Sequence, residues 1–261
     1  MLSQRSYGEH NVHIRGLASL VTVQQTCPIV ELRRYALHPG ARDTLIELFD
    51  RELVETQEAV GMSVLGQFRD LDDPDSFVWL RGFDDMRTRR QALGAFYGGP
   101  VWKQHSRAAN ATMIDSDNVL LLRPLSGLLL SDGRPARGST GSGAGLLAIT
   151  IYSLRESGAE DFSSFFEEKV EPLLDRAGVT ILATYVTEHS ANTFPALPVR
   201  EEEVFVWLAM FADEDNHARS MSELERATGW REVVLPALGG YLEGPVELLR
   251  LTPTARSLLH A

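Results

Sequence analysis

The sequence predicts an α+β protein. Two ferredoxin-like βαββαβ repeats lie in one chain, and their antiparallel sheets face each other as an intramolecular α/β barrel. Three observations predict it. A nine-residue phrase is written twice, as Phe77-Val78-Trp79-Leu80-Arg81-Gly82-Phe83-Asp84-Asp85 and as Phe205-Val206-Trp207-Leu208-Ala209-Met210-Phe211-Ala212-Asp213. Further pairs keep the spacing: Phe77 and Phe205 are 128 residues apart, and so are Trp102 and Trp230. Hydrophobic periodicity then reads as the same order of strands and helices in each half. A repeat of roughly 120 residues is a duplicated domain, since solenoid repeats are far shorter.

Upstream of the doubled phrase the spacing is slightly smaller. Tyr35 pairs with Tyr152 at 117 residues, and Ala41-x-Asp43 with Ala159-x-Asp161 at 118. The difference places an insertion in the second half, between Thr187 and Glu203, where the first half has only an Asp-rich turn. Residues 1–26 form an N-terminal extension with no counterpart before the second repeat.

In the first domain, 27–125, residues 30–37 alternate like a strand. Pro39-Gly40 then opens a helix over 41–60, with Leu45, Leu48, Phe49 and Leu53 on one face and Gly61 as its stop. Strands over 62–69 and 76–83 flank an Asp/Pro turn. A helical region over 85–112, interrupted at Gly98-Gly99-Pro100, leads to a last strand through 119–122. Residues 126–145 are a linker, and the stretch 131–145 holds five glycines and three serines without periodicity. It lacks the GK[ST] of a phosphate-binding loop. The second domain, 146–253, repeats the order with a strand at 146–154, a helix at 159–177, strands at 179–187 and 203–211, helices over 214–238 and a strand at 246–251. Residues 254–261 are a C-terminal tail. A lone four-stranded sheet with helices on one side leaves its other side bare, and two such sheets can cover each other.

Composition narrows the partners. The 261 residues carry 36 acidic and 25 basic side chains, a net charge of −11, with no basic cluster interleaved with aromatics. That balance repels phosphate backbones and anionic membrane surfaces. No apolar run approaches the roughly 18–20 residues that span a bilayer. The first 25 residues lack the pattern of a secretory signal, so the expected location is cytoplasmic. The single cysteine, Cys27, excludes an internal disulfide and a thiolate-rich metal site, and reads as a small core residue. His189 and His217 have no ligand at metal-binding spacing, no GxSxG elbow occurs, and Glu201-Glu202-Glu203 reads as a solvated run. His38 falls in a loop. His105, in a helical stretch, is the best placed histidine for a haem, though no motif supports one, and no cofactor is predicted.

With that element order, the first half resembles the NIPSNAP family of the dimeric α/β-barrel superfamily. The resemblance rests on Glu31-Leu32-Arg33-x-Tyr35-x-Leu37-x-Pro39-Gly40, the strand ending in Phe83-Asp84, and the helix bearing Arg87, Arg89 and Arg90. Pro100-x-Trp102 and Leu121-x-Arg123-Pro124 complete it. The second half keeps the spacing and the aromatics but loses ELR and PG, and looks like a diverged copy. The resemblance implies a two-sheet barrel, normally formed by dimerisation, in a family whose activity is not settled. The superfamily includes cofactor-free monooxygenases, small-molecule decyclases and haem-dependent chlorite dismutases, and fold alone does not choose among them. The family tends to carry an aromatic where this chain has Arg81.

Strand periodicity collects the candidate site. Residues i and i+2 share a face, so Glu31, Arg33 and Tyr35 lie together on one strand and Trp79, Arg81 and Phe83 on its neighbour. The aliphatic faces are expected to seat the helices, which points the six toward the barrel interior. The second half repeats the aromatics as Tyr152, Trp207 and Phe211 but places Ala148, Thr150 and Ala209 where Glu31, Arg33 and Arg81 stand. Glu31 is expected to neutralise Arg33, leaving one positive charge beside aromatic walls. The corresponding function is binding of a small apolar or anionic molecule, such as a carbonyl-bearing aromatic or polyketide-like ligand. Arg81 is its anchor and Trp79 and Tyr35 are its walls. Catalysis as a cofactor-independent oxygenase or isomerase is one extension, with no catalytic residue assigned. The alternative is a non-enzymatic interaction or scaffold protein in which the aromatics pack the sheet-to-sheet core and Arg33 and Arg81 reach the solvated rim. Further homo-oligomerisation is left open.

Overall fold

The computed structural model of the chain describes residues 22–25, 27–131, 133–155 and 158–261. The expectations for residues 1–21 and 26 lie outside the described residues. In the first half the elements run β1 (Thr22–Gln25), β2 (Ile29–Leu37), α1 (Arg42–Leu48), a π-helical turn (Phe49–Leu53), α2 (Val54–Glu58), β3 (Ser63–Asp70) and β4 (Ser76–Phe83). Helices α3 (Met86–Tyr97) and α4 (Pro100–Asn110), then β5 (Met113–Pro124) and β6 (Leu128–Ser131), follow. The second half runs β7 (Leu146–Ser153), α5 (Ala159–Phe165), a π-helical turn (Phe166–Val170), α6 (Glu171–Arg176), β8 (Ile181–Thr187) and β9 (Val204–Phe211). It ends with α7 (Glu214–Arg226), a third π-helical turn (Trp230–Val234), α8 (Leu235–Tyr241) and β10 (Glu247–Pro253).

Eight strands close one barrel in the order β3-β4-β2-β5-β8-β9-β7-β10, with β10 returning to β3. Each half supplies a four-stranded ferredoxin-like sheet with its first and third strands at the centre. The seams are antiparallel and equivalent: β5 pairs with β8, and β10 with β3. Closure removes the free edges that each sheet would otherwise expose.

The doubled phrase is the third strand of each sheet. β4 is buried at every position, and β9 at all but Met210. Each leads into a helix capped by the Asp at the phrase's ninth place. Asp85 accepts from the Thr88 amide in a capping box, and Asp213 accepts from the Asn216 amide. Pro100 sits at the start of α4, where its missing N–H costs no helical hydrogen bond.

The structure corrects the expected orientation of the sheets. The barrel interior is filled by the aliphatic face, with Val30, Leu32, Val78, Leu80, Leu120, Leu122, Leu147, Ile149, Ile151, Val206 and Leu208 in one cluster. Tyr35, Trp79 and Phe83 point outward and pack with Leu45, Phe49, Leu53 and Leu93 of the covering helices. Tyr152, Trp207 and Phe211 do the same in the second half, against Phe162, Phe166 and Leu174. The cause is volume, because an eight-stranded barrel has room only for side chains that fill it from all strands at once. Two rings, Phe68 and Tyr185, share that interior, while the rings of β2 and β4 sit between sheet and helices.

Two further segments differ from expectation. Leu128–Ser131, within the span read as linker, is strand β6 and pairs with β1. Its Leu128 and Leu130 join the interior cluster, so burial overrides the flexible composition that follows them. The tail is also packed: Leu259 is in the same cluster, and Arg256 donates to the Asp50 carbonyl and ion-pairs with Glu55. Cys27 is buried in the interior, beside Gly82, where any side chain on residue 82 would collide with its sulfur. Among the described residues no helix is long and apolar enough to cross a membrane.

Candidate functional site

β2 and β4 lie side by side with Glu31 opposite Arg81 and Arg33 opposite Trp79. β5 places Leu121 beside Glu31 on the other flank. The six residues collected by strand periodicity are thus brought together, on the helix side of the sheet. None of the charged members reaches the rim: Glu31 and Arg81 are 0% exposed and Arg33 is 1% exposed.

Glu31 organises the group. Arg33 Nη1 donates to Glu31 Oε2 at 2.7 Å and Arg81 Nε donates to the same oxygen at 2.8 Å. Arg89, reaching down from α3, donates from Nε to Glu31 Oε1 at 2.7 Å and is also 0% exposed. One carboxylate therefore faces three guanidinium groups, and three minus one leaves a surplus of two positive charges. The expected surplus was one, because Arg89 was not among the candidates.

The remaining donors are partly satisfied by neutral groups. Arg33 Nε donates to Tyr35 Oη at 3.1 Å and its Nη2 to the Ser116 carbonyl at 3.3 Å. Arg81 Nη1 donates to Gln57 Oε1 at 3.3 Å, and Arg89 Nη1 to Asn192 Oδ1 at 3.0 Å. Arg81 lies 5.0 Å from the Trp79 ring centre and Arg33 5.5 Å from that of Tyr35, so cation–π attraction offsets part of the charge. Arg89 Nη2 and Trp79 Nε1 are buried with no hydrogen-bond partner among the described residues. Arg81 Nη2 lies 2.7 Å from Glu31 Oε2 but is not aligned to donate to it.

The electrostatics follow from this packing. Burial alone would raise the Glu31 carboxyl, but Arg81, then Arg33 and Arg89, outweigh it and hold it well below the usual carboxylate range. Burial pushes the Tyr35 phenol above its ordinary value against the pull of Arg33. Tyr35 therefore stays neutral at pH 7 and supplies no second negative charge. Glu31, held ionised by three cations, is a weak proton acceptor.

The equivalent place in the second half is uncharged. Ala148, Thr150 and Ala209 replace Glu31, Arg33 and Arg81, and the 128-residue spacing puts His217 where Arg89 stands. The 117-residue spacing puts Leu174 at the position of Gln57. Phe162 packs 5.2 Å from Tyr152 and Phe166 packs 4.6 Å from Phe205, so rings fill this layer. Burial pushes Tyr152 up to about 12. His217 stands edge-on to Phe211 at 4.9 Å.

The insertion between β8 and β9 reaches across to the charged half. Its ends extend β5, with the Glu188 amide donating to Leu121 and the Arg200 amide to Val119. Between them Phe194 stacks on Tyr97 at 6.0 Å, and Thr193 Oγ1 donates to the Met86 carbonyl. A cleft of about 400 Å³ lies under this segment, bordered by Leu121 and Asn192 and walled by residues 187–190 and 199–203. Its outer wall is acidic: Glu202 pairs with Arg200, and Glu203 lies 3.5 Å from His189.

Sequence periodicity missed Arg89, Gln57 and Asn192. Arg89 begins the buried stripe Arg89, Ala92, Leu93 and Phe96 of α3. Gln57 ends the buried run Phe49, Leu53, Val54 and Gln57. A polar residue in phase with an apolar stripe was the available signal. Asn192 sits in an insertion without periodicity and carried none. His38 is exposed and His105 is half-buried on α4. No group of three metal-ligating side chains occurs among the described residues.

Comparison with known proteins supports the architecture. A candidate monooxygenase from Fusobacterium nucleatum superposes with a TM-score of 0.55 at 10% identity, covering 90% of this chain and 98% of its own. A candidate monooxygenase from Lactobacillus acidophilus gives 0.53 at 12% identity, covering 90% and 100%. An anthrone oxidase-like protein gives 0.58 at 10% identity, covering 92% and 99%. Likeness at such identities shows a shared fold and leaves the chemistry to the site. No curated protein matches the chain. The NIPSNAP family profile matches residues 30–127, which run from β2 to just short of β6. Residues 30–127, which carry β2 to β5 of the barrel, thus match the NIPSNAP family.

Proposed function

We propose that this protein binds one small anionic or carbonyl-bearing molecule per chain, in the sheet–helix layer of its N-terminal half. The observation that carries the reading is the surplus of two buried positive charges around Glu31. Holding an uncompensated ion out of water costs several kcal/mol, and the second half shows that the same layer closes with neutral residues. An anion beside Arg81 and Arg89 would offset that cost and engage donors left without partners. The second half, read as a diverged copy, keeps the scaffold without the charges.

The same positive field would stabilise an enolate, the type of intermediate on which cofactor-independent oxygenases and isomerases work. The fold shared with candidate monooxygenases is in keeping with that extension. The residues around Glu31 supply charge stabilisation and orientation, and Glu31 itself is poorly suited to act as base.

Native mass spectrometry of freshly purified protein tests the reading, with Arg81→Met run in parallel. The expected result is a single added small-molecule mass per chain, diminished in the variant. Bare protein throughout, with Arg81→Met more stable and otherwise unchanged, would favour a packed scaffold and reject the site.

A further inference from the structure

The segment between β8 and β9 touches the charged cluster at one guanidinium. Arg89 Nη1 is 3.0 Å from Asn192 Oδ1 and 3.5 Å from Thr193 Oγ1, while Arg89 Nη2 has no partner among the described residues. Guanidinium recognises a carboxylate through two nitrogens and two charged oxygens. Here one of the two outer nitrogens is met by neutral oxygens and the other by none. The Asn192 oxygen is itself locally held, since it also accepts from the Phe194 amide at 3.0 Å, and Asn192 Nδ2 donates to the Leu197 carbonyl at 2.8 Å. These contacts fix the turn that delivers the amide to Arg89.

We propose that Asn192 and Thr193 occupy the position of a ligand carboxylate, so that the ligand is a small monocarboxylate that displaces them from Arg89 as the 188–203 segment lifts. This rests on the site proposed above and names its ligand class. Three features support it. The amide and hydroxyl oxygens are weaker partners for a buried cation than a carboxylate, so exchange favours the anion. The cleft beside the segment borders Asn192, which contacts Arg89, and Leu121, the neighbour of Glu31, so lifting the segment would open it toward Arg89. The wall of that cleft carries Glu188, Glu201, Glu202 and Glu203 against Arg200, which pairs with Glu202, and the remaining acidic excess penalises a doubly charged ligand more than a singly charged one. The segment is anchored at its ends on β5 and in its middle by the Phe194–Tyr97 stack and the Thr193–Met86 hydrogen bond. Lifting the segment breaks these middle contacts together with the packing of Phe194, Leu197 and Val199 against the helix-side cluster.

The test uses benzoate as probe and benzamide as its neutral counterpart, titrated calorimetrically into the full chain, wild type and Asn192→Ala. Asn192 is half-buried, and Asn192→Ala removes its contacts to Arg89, Phe194 and Leu197 without changing a side chain of the apolar core. Losing a hydrogen bond to a charged group is worth about tenfold in affinity. Benzoate is therefore expected to bind Asn192→Ala about tenfold more tightly than wild type, and benzamide to bind neither. Hydrogen exchange supplies the second measurement, with amides of residues 189–199 expected to exchange faster when benzoate is bound. Benzoate binding that Arg89→Gln abolishes, but that Asn192→Ala leaves unchanged or weakens, overturns the displacement and spares the site. Equal binding of benzamide overturns the carboxylate assignment. Failure of benzoate to bind both wild type and Asn192→Ala overturns the inference, and if native spectra are also bare the site falls with it.

Discussion

Glu31→Gln isolates the charge balance of the cluster with little change of shape. The side chain keeps its volume and one acceptor oxygen, so no cavity forms and the loss is one negative charge shared among three guanidinium groups at 2.7–2.8 Å. At an effective dielectric near 20, each attraction is about 4 kcal/mol, and mutual repulsion among the arginines cancels part of the sum. Breaking a buried pair from one side costs about 3–5 kcal/mol. A carboxylate serving three partners belongs at the upper end of that range. For a chain of this size each kcal/mol lowers Tm by about 2–4 °C, giving a fall of roughly 10–20 °C. Arg81→Met has the opposite logic: it removes one of the two uncompensated charges and leaves Glu31 paired with Arg33 and Arg89. Its stability is expected within about 1 kcal/mol of wild type, or above it. Urea unfolding followed by tryptophan fluorescence, with calorimetry for Tm, compares all three proteins. A Glu31→Gln variant within about 1 kcal/mol of wild type would refute the reasoning, as would an Arg81→Met variant damaged as severely as Glu31→Gln.

Other outcomes follow from the same structure. Glu31 and Glu55 both ionise more readily when folded, Glu55 at about 2 through its hydrogen bond to Arg256. Their stabilisation is present above the unfolded carboxylate value and lost as pH falls below about 4.5, so Glu31→Gln should flatten the acid limb of a stability–pH curve. Asp50 has the reverse sign. Burial pushes it up to about 6 over the pull of Arg256, so Asp50→Asn should stabilise above pH 6 by up to about 3 kcal/mol and change little below pH 4; no difference at pH 8 would contradict this. Leu259→Ala, emptying a side chain 2% exposed within the barrel cluster, should cost about 2–5 kcal/mol in urea unfolding.

The architecture was legible because the two halves check each other. The FVWL phrase located β4 and β9 as the third strand of each half. The side of the sheet was not legible, because period-2 alternation separates two faces without saying which one is enclosed when both are buried. β4 shows this directly: all eight of its positions are buried, so neither Trp79 nor Leu80 reports a solvent side. Glu31, Arg33 and Arg81 could be grouped from strand spacing alone. Arg89 could not join them, because it arrives from a helix by tertiary packing. Asn192 comes from the other half of the chain, in a segment whose Pro- and Glu-rich composition reads as loop and conceals its contact with Arg89. β6 was not legible because three leucines ahead of a Gly/Ser-rich stretch take their structure from what they cover.

The most direct test of the account is anomalous diffraction from crystals of the full chain equilibrated with 4-bromobenzoate. The account predicts one bromine position per chain, its carboxylate beside Arg81 and Arg89 on the helix side of β2 and β4, with Asn192 moved away. A bromine inside the aliphatic barrel, an equally occupied one against Trp207 and Ala209, or none at saturating concentration would contradict it.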